Sequence, residues 1–140
     1  MFKKILVAYD GSPGAKRALE VTCAMAKALG AELHAVAVLE HLPKYAASVG
    51  EIQEAQAQGQ SYLHQVLSGA QEFALGRGVA LQVDQVSGHP AQAIVKYADD
   101  QGIDLIALGH SGHSGLWGTF LGTTADKTMR HAGCSVLVVR

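Results

Sequence analysis

The feature that most constrains the fold is the alternation of short, unbroken apolar runs with longer segments of helical spacing. Lys4 to Tyr9, Glu32 to Leu39, Asp104 to Leu108 and Ser135 to Val139 are each rich in Ile, Leu, Val and Ala. Runs without polar alternation suit strands covered on both faces, as in a parallel sheet. Val79 to Val86 differs, because Val79, Leu81 and Val83 alternate with Ala80, Gln82 and Asp84. That pattern predicts a half-exposed strand at a sheet edge.

The intervening segments read as helices. Ser12 is an N-cap candidate with Pro13 in the first helical position. Ala15, Ala18, Leu19, Thr22, Ala26 and Leu29 then recur at helical spacing, and Gly30 supplies a stop. Glu40 to Gly50 has no period and contains Pro43, so it reads as a surface loop able to cover a site. Glu51 to Leu75 is amphipathic, with Ile52, Ala55, Gly59, Tyr62, Leu63, Val66, Ala70, Phe73 and Ala74 on its apolar face. Gly59 and Gly69 weigh against its being one unbroken helix. Ser87-Gly88-His89-Pro90 opens a third helix, with Ala91, Ile94, Val95 and Ala98 as its face and Gly102 as its end. A fourth runs from Thr123 to Ala132. Five strands alternating with four helices specify an open α/β domain with right-handed crossovers over residues 1–140.

Between the fourth strand and the fourth helix lies a stretch with five glycines, Gly109, Gly112, Gly115, Gly118 and Gly122. A glycine-rich strand-to-helix turn presents backbone N–H groups to an anion. Its glycines are expected to approach a ligand closely and to take positive φ. Its other side chains are mainly hydroxyls and imidazoles, with no carboxylate to repel a phosphate. It is not a P-loop, which needs Gly-Lys-Ser/Thr, for no lysine lies between Gly109 and Thr124. It is not the dinucleotide fingerprint Gly-x-Gly-x-x-Gly either, since that needs an acidic residue about 20 positions on, after a second strand.

What fits is Gly-x2-Gly-x9-Gly-Ser/Thr, on Gly109, Gly112, Gly122 and Thr123. With Ile5-Leu6-Val7-Ala8-Tyr9-Asp10-Gly11-Ser12 at the start and Arg130-His131-Ala132-Gly133-Cys134-Ser135-Val136-Leu137-Val138-Val139 at the end, the chain resembles the universal stress protein family over nearly its whole length. The resemblance implies a five-stranded parallel sheet of order 3-2-1-4-5 with helices on both faces, Rossmann-like and similar to adenine nucleotide α-hydrolases. It implies ATP as ligand, with Mg²⁺ carried through the phosphates. It places Ala8 beside the base and the backbone of Val38 against adenine. In such sheets ligands bind where the strand order reverses, here between the first and fourth strands.

Asp10 ends the first strand there. It is read as a partner of ribose, adenine or a metal ion in preference to a turn residue alone. Gly109, His110, Ser111, Gly112, His113, Ser114 and Gly115 form the near part of the phosphate loop. Gly122, Thr123 and Thr124 bring it to the helix start, where N–H groups, hydroxyls and the helix dipole meet phosphate. N-capping by Thr123 is the structural alternative. His110 and His113 have the spacing of a metal pair and His89 is expected nearby at the end of the third strand, but no cysteine or further carboxylate completes a zinc set. They are read as solvent-facing loop histidines, and no metal site is assigned. Lys127 and Arg130 read as a solvated face. Trp117 or Phe120 is expected to anchor the loop by burying apolar area. Relatives often carry Arg or Lys between the second and third glycines of the motif. His113 to Leu121 has none, which implies weak or pH-dependent ATP binding.

At 49% hydrophobic and 16% charged residues, with a net charge of −1, the chain is globular and lacks the basic bias of nucleic-acid or anionic-membrane binding. Its N-terminus resembles neither a signal peptide nor a spanning helix, so a cytoplasmic location is expected. Cys23 and Cys134 are expected to be buried thiols in that compartment. Ser135 to Val139 is an apolar edge strand without charge, proline or bulge, an aggregation hazard unless paired. A two-fold homodimer through this strand is expected. The functional expectation is a regulatory stress-response module that binds ATP without efficient turnover, for no nucleophile–base pair stands out. The alternatives are a slow ATPase or phosphotransferase, and a protein-interaction module that binds no nucleotide.

Overall fold

A computed structural model of the chain describes residues 1–40, 48–110 and 121–140. The elements run β1 (Lys4–Ala8), α1 (Pro13–Leu29), β2 (Glu32–Leu39), α2 (Val49–Gly76), β3 (Leu81–Ser87), α3 (Pro90–Gln101), β4 (Leu105–Gly109), α4 (Thr123–His131) and β5 (Ser135–Val139). The strands form one sheet of order β3-β2-β1-β4-β5, and every neighbouring pair is parallel. The expected fold class and strand order are therefore found.

The side-chain period of two divides each strand between two cores. Ile5, Val7, Leu33, Ala35 and Leu105 face α1 and α2, packing with Leu19, Cys23, Leu67 and Ala70. Leu6, Val36, Ile106 and Leu108 face α3 and α4, packing with Ile94, Tyr97 and Ala125. Ile5, Leu6 and Ile106 have no accessible surface. Burying each such side chain stabilises the fold by about 1.5–3 kcal/mol. At the edges the sheet is less covered. β3 alternates as expected and β5 is only partly buried.

The local signals for α1 hold. Ser12 accepts from the Ala15 N–H at 3.2 Å, Pro13 occupies the first turn, and Gly30 closes the helix at φ 67°. Leu29, which recurs at the same spacing, is 42% exposed instead. On α3 the buried set includes Tyr97 and leaves Val95 only half-buried. The Tyr97 hydroxyl donates to Asp84 Oδ2 at 2.6 Å, so its ring can be buried while its polar end stays satisfied. Cys23 is buried and Cys134 half-buried, both as free thiols.

Some element limits differ by a residue or two from those the sequence predicts. β1 stops at Ala8, although the Tyr9 N–H still bonds the Val36 carbonyl at 2.9 Å. β3 begins at Leu81, because Val79 is spent closing α2, its N–H bonding the Ala74 carbonyl. α2 is one helix across both glycines. At Gly59 the reason is packing: a Cβ there would stand 2.7 Å from Leu39 Cδ1. The weak helix propensity of glycine, about 1 kcal/mol, is accepted where α2 crosses the end of β2.

Candidate functional site

β1 is hydrogen-bonded to β2 on one side and β4 on the other. The connections leaving β1 and β4 diverge to opposite faces, which opens a crevice beyond their carboxyl ends. Its volume is about 630 Å³, within the usual range for small-molecule sites. Ala8, Asp10, Val38, Gly109, Gly122, Thr123 and Thr124 all line it. Seven of the residues singled out from sequence thus come from four separate segments to one cavity.

The β1 side is built by a turn. The Ser12 N–H donates to Asp10 Oδ1 at 2.9 Å, and Gly11 between them has φ 80°. The carboxylate therefore has the turn-forming role set against a ligand role in the sequence reading. It is also exposed and lines the crevice, so the turn leaves it within reach of a ligand. Tyr9 is buried beneath it, and burial, with a smaller effect from Asp10, pushes its phenol above the usual range.

The β4 side ends at the first turn of α4. Gly122, with φ −60° and ψ 150°, is the N-cap and offers no side-chain acceptor. Thr123 is therefore not the cap; it occupies the first helical position. The N–H groups of the first turn have no intrahelical acceptor. Thr123, Thr124 and Ala125 bring that turn into the crevice wall. The result is a helix N-terminus open to an anion.

The expectation of positive φ fails at both described loop glycines. Gly109 and Gly122 are absent from the positive-φ glycines. Gly109 is instead a site of close packing. A Cβ on it would lie 2.7 Å from the Gly14 carbonyl carbon and 2.9 Å from its oxygen. His110 also departs from its reading as a solvent-facing histidine. It is 7% exposed and does not line the crevice described by the other residues. Its N–H donates to the Val139 carbonyl at 2.8 Å and its carbonyl accepts from the Gly122 N–H at 2.7 Å. The backbone at His110 thereby ties β4 to β5 and to the start of α4. Ser111, Gly112, His113, Ser114, Gly115, Trp117 and Phe120, and the loop containing Pro43, lie outside the described residues.

The other end of the crevice is apolar. Val36, Val38 and Leu39 of β2 meet Pro90 and Ile94 of α3 there. Its outer wall is α2, through Ala55, Gln56, Gly59 and Tyr62. Helical spacing puts Ala55, Gly59 and Tyr62 on the apolar face of α2 and gives no sign of Gln56. In the structure the buried positions of α2 begin at Leu63, and Tyr62 is 58% exposed. The amino-terminal half of α2 overhangs the sheet, so its apolar face looks onto the crevice. Helical spacing cannot distinguish those two uses. Lys127 is exposed and Arg130 pairs with Asp126 at 3.2 Å, as a solvated face should. Among the described residues no group of three His, Cys, Asp or Glu side chains converges to hold a metal ion. None of the described helices is long and apolar enough to cross a membrane.

Residues 1–140 match the model of the universal stress protein family. The chain is 38% identical over 142 residues to a universal stress protein of Thermus aquaticus, covering all of both chains. Among solved structures it is similar to the universal stress protein UspA from Lactobacillus plantarum, with TM-score 0.90 and 25% identity over 99% of this chain and 98% of that one. A universal stress protein solved in complex with cAMP has the same fold, with TM-score 0.75 and 22% identity over 99% and 97% of the two chains.

Proposed function

The chain belongs to the universal stress protein family, and from that premise we propose that its crevice binds an adenine nucleotide, ATP with Mg²⁺, as part of a regulatory module. The observation that carries the proposal is the order of chemistries along the crevice. It runs from apolar side chains of β2 and α3, through the Asp10 carboxylate at β1, to the open first turn of α4 beside β4. A nucleotide has the same order: a flat apolar base, a sugar with hydroxyl donors, and an anionic tail. Asp10 in the middle accepts from ribose; placed against phosphate it would repel. The likeness to the cAMP complex is one of fold, so the reading rests on this chain's own lining.

The phosphates would meet the backbone N–H groups of Thr123, Thr124 and Ala125 and the two threonine hydroxyls. Mg²⁺ would arrive on the phosphates and neutralise part of their charge. In the proposal the protein is cytoplasmic and dimeric. β5 pairs with β4 on one side only, and its other edge carries no strand among the described residues. An antiparallel pairing of two β5 edges would join two sheets and satisfy that edge. The test is to denature freshly purified protein and identify released nucleotides by ion-exchange chromatography, then to measure labelled ATP uptake by equilibrium dialysis. Adenine nucleotide recovered, or ATP taken up saturably at one per chain, is the expected result. No nucleotide and no uptake would overturn the reading in favour of a protein-interaction module.

A further inference from the structure

Among the described residues Gln56 is the only carboxamide lining the crevice, and it is half-buried there. Two contacts place the next turn of α2. One turn along α2, Gly59 abuts Leu39 so closely that a Cβ would stand 2.7 Å from Leu39 Cδ1. Beside it, Gln85 Nε2 of β3 donates to the Gln60 carbonyl at 3.1 Å. This part of α2 is therefore held over the ends of β2 and β3, at the apolar end of the crevice and away from Thr123 and Thr124.

We propose that Gln56 determines base specificity. The inference rests on the nucleotide reading of the crevice and adds a residue to it. The side chains of Val36, Val38, Leu39, Pro90 and Ile94 hold a ring by apolar contact, which every base satisfies, and any backbone contact at Val38 adds to, without replacing, what a polar side chain reads. Only polar groups can tell bases apart. A carboxamide offers one acceptor and donors in one plane, and pairs with adenine by accepting from its exocyclic amine and donating to a ring nitrogen. Glu40 also reaches this end, but it is exposed and water competes for it. The half-buried Gln56 pairs under less competition, because a polar group removed from water is costly to leave unpaired.

The test measures ATP and GTP affinities, with Mg²⁺, for the wild-type protein, Gln56→Leu and Gln56→Glu. Circular dichroism confirms that each variant is folded. Wild type should prefer ATP. Gln56→Leu should weaken ATP about tenfold or more and GTP little, so the preference collapses. Gln56→Glu replaces the donor with a second acceptor. It should be repelled by the adenine ring nitrogen and favour the N–H groups of guanine, moving the preference towards GTP. An unchanged ATP-to-GTP ratio in both folded variants, with wild-type ATP binding intact, would overturn this inference and leave the nucleotide reading standing. Wild-type protein that binds neither nucleotide would overturn both.

Discussion

The backbone of Gly109, at the end of β4, lies so close to that of Gly14, in the first turn of α1, that a Cβ on Gly109 would stand 2.7 Å from the Gly14 carbonyl carbon. Neither partner is a side chain that could swing away. The contact sets how near α1 comes to β4, and so sets the width of the crevice on that side. Gly109→Ala should force the two elements apart at a cost of about 1–3 kcal/mol, as overpacking does. Urea unfolding should show a lower midpoint with an unchanged slope. An unaltered midpoint would mean that the approach relaxes at no cost.

At the other wall the N-cap position of α4 separates stability from binding. Gly122 provides no capping acceptor. Gly122→Asp supplies one and places a negative charge at a helix start. Stability should rise by a few tenths to about 1 kcal/mol. The same carboxylate occupies the position proposed for phosphate, so ATP affinity should fall about tenfold or more. Thermal melts and nucleotide titration on one sample would show the two effects with opposite signs.

Tyr97 gives a prediction confined to the fold. Burial, then its hydrogen bond to Asp84, raises its phenol well above the ordinary value of 10.0. A group whose folded pKa is raised contributes stability that is complete below the unfolded value and is lost as pH rises through the folded one. Stability should therefore decline above about pH 10. Tyr97→Phe should cost about 1 kcal/mol at neutral pH, at the low end for a charged acceptor because Asp84 is exposed. It should also flatten the alkaline decline, leaving the part due to Tyr9, which is raised by burial as well. Denaturation midpoints from pH 7 to pH 11 for both proteins would check this.

The proposed dimer is tested at Val138. Val136 packs in the α3–α4 core, and Leu137 and Val139 pack in the other. Val138 belongs to neither, although it pairs in register with Leu108. Val138→Lys should therefore disturb the fold least while placing like charges together at a two-fold β5 contact. Sedimentation at micromolar concentration should give a dimer for wild type and a monomer for the variant. A monomeric wild type would contradict the dimer.

The sheet was legible because strand covering leaves a direct mark on sequence. Lys4 to Tyr9 and Asp104 to Leu108 are unbroken apolar runs, and only central parallel strands demand that. Asp10 and Thr123 were legible because turn and helix-start residues carry their chemistry locally. The α2 wall was not. Ala55, Gly59 and Tyr62 keep perfect helical spacing with Val66 and Ala70, yet the former face the crevice and the latter the core, with Leu63 bordering both. The difference arises where β2 ends beneath the helix, and spacing within α2 holds no record of that. Gly109 and His110 misled for a related reason. Their constraints, the contact with Gly14 and the bonds to Val139 and Gly122, are long-range and invisible to a motif.

The central claim is that one crevice binds an adenine nucleotide by its phosphates at the start of α4. Isothermal titration of ATP with Mg²⁺ into wild-type protein and into Gly122→Asp tests it most directly. Wild type should bind saturably at one nucleotide per chain, and the variant, with a melting temperature unchanged or higher, should bind about tenfold or more weakly. Equal ATP affinity in the two folded proteins, or no binding heat in wild type at several temperatures, would contradict it.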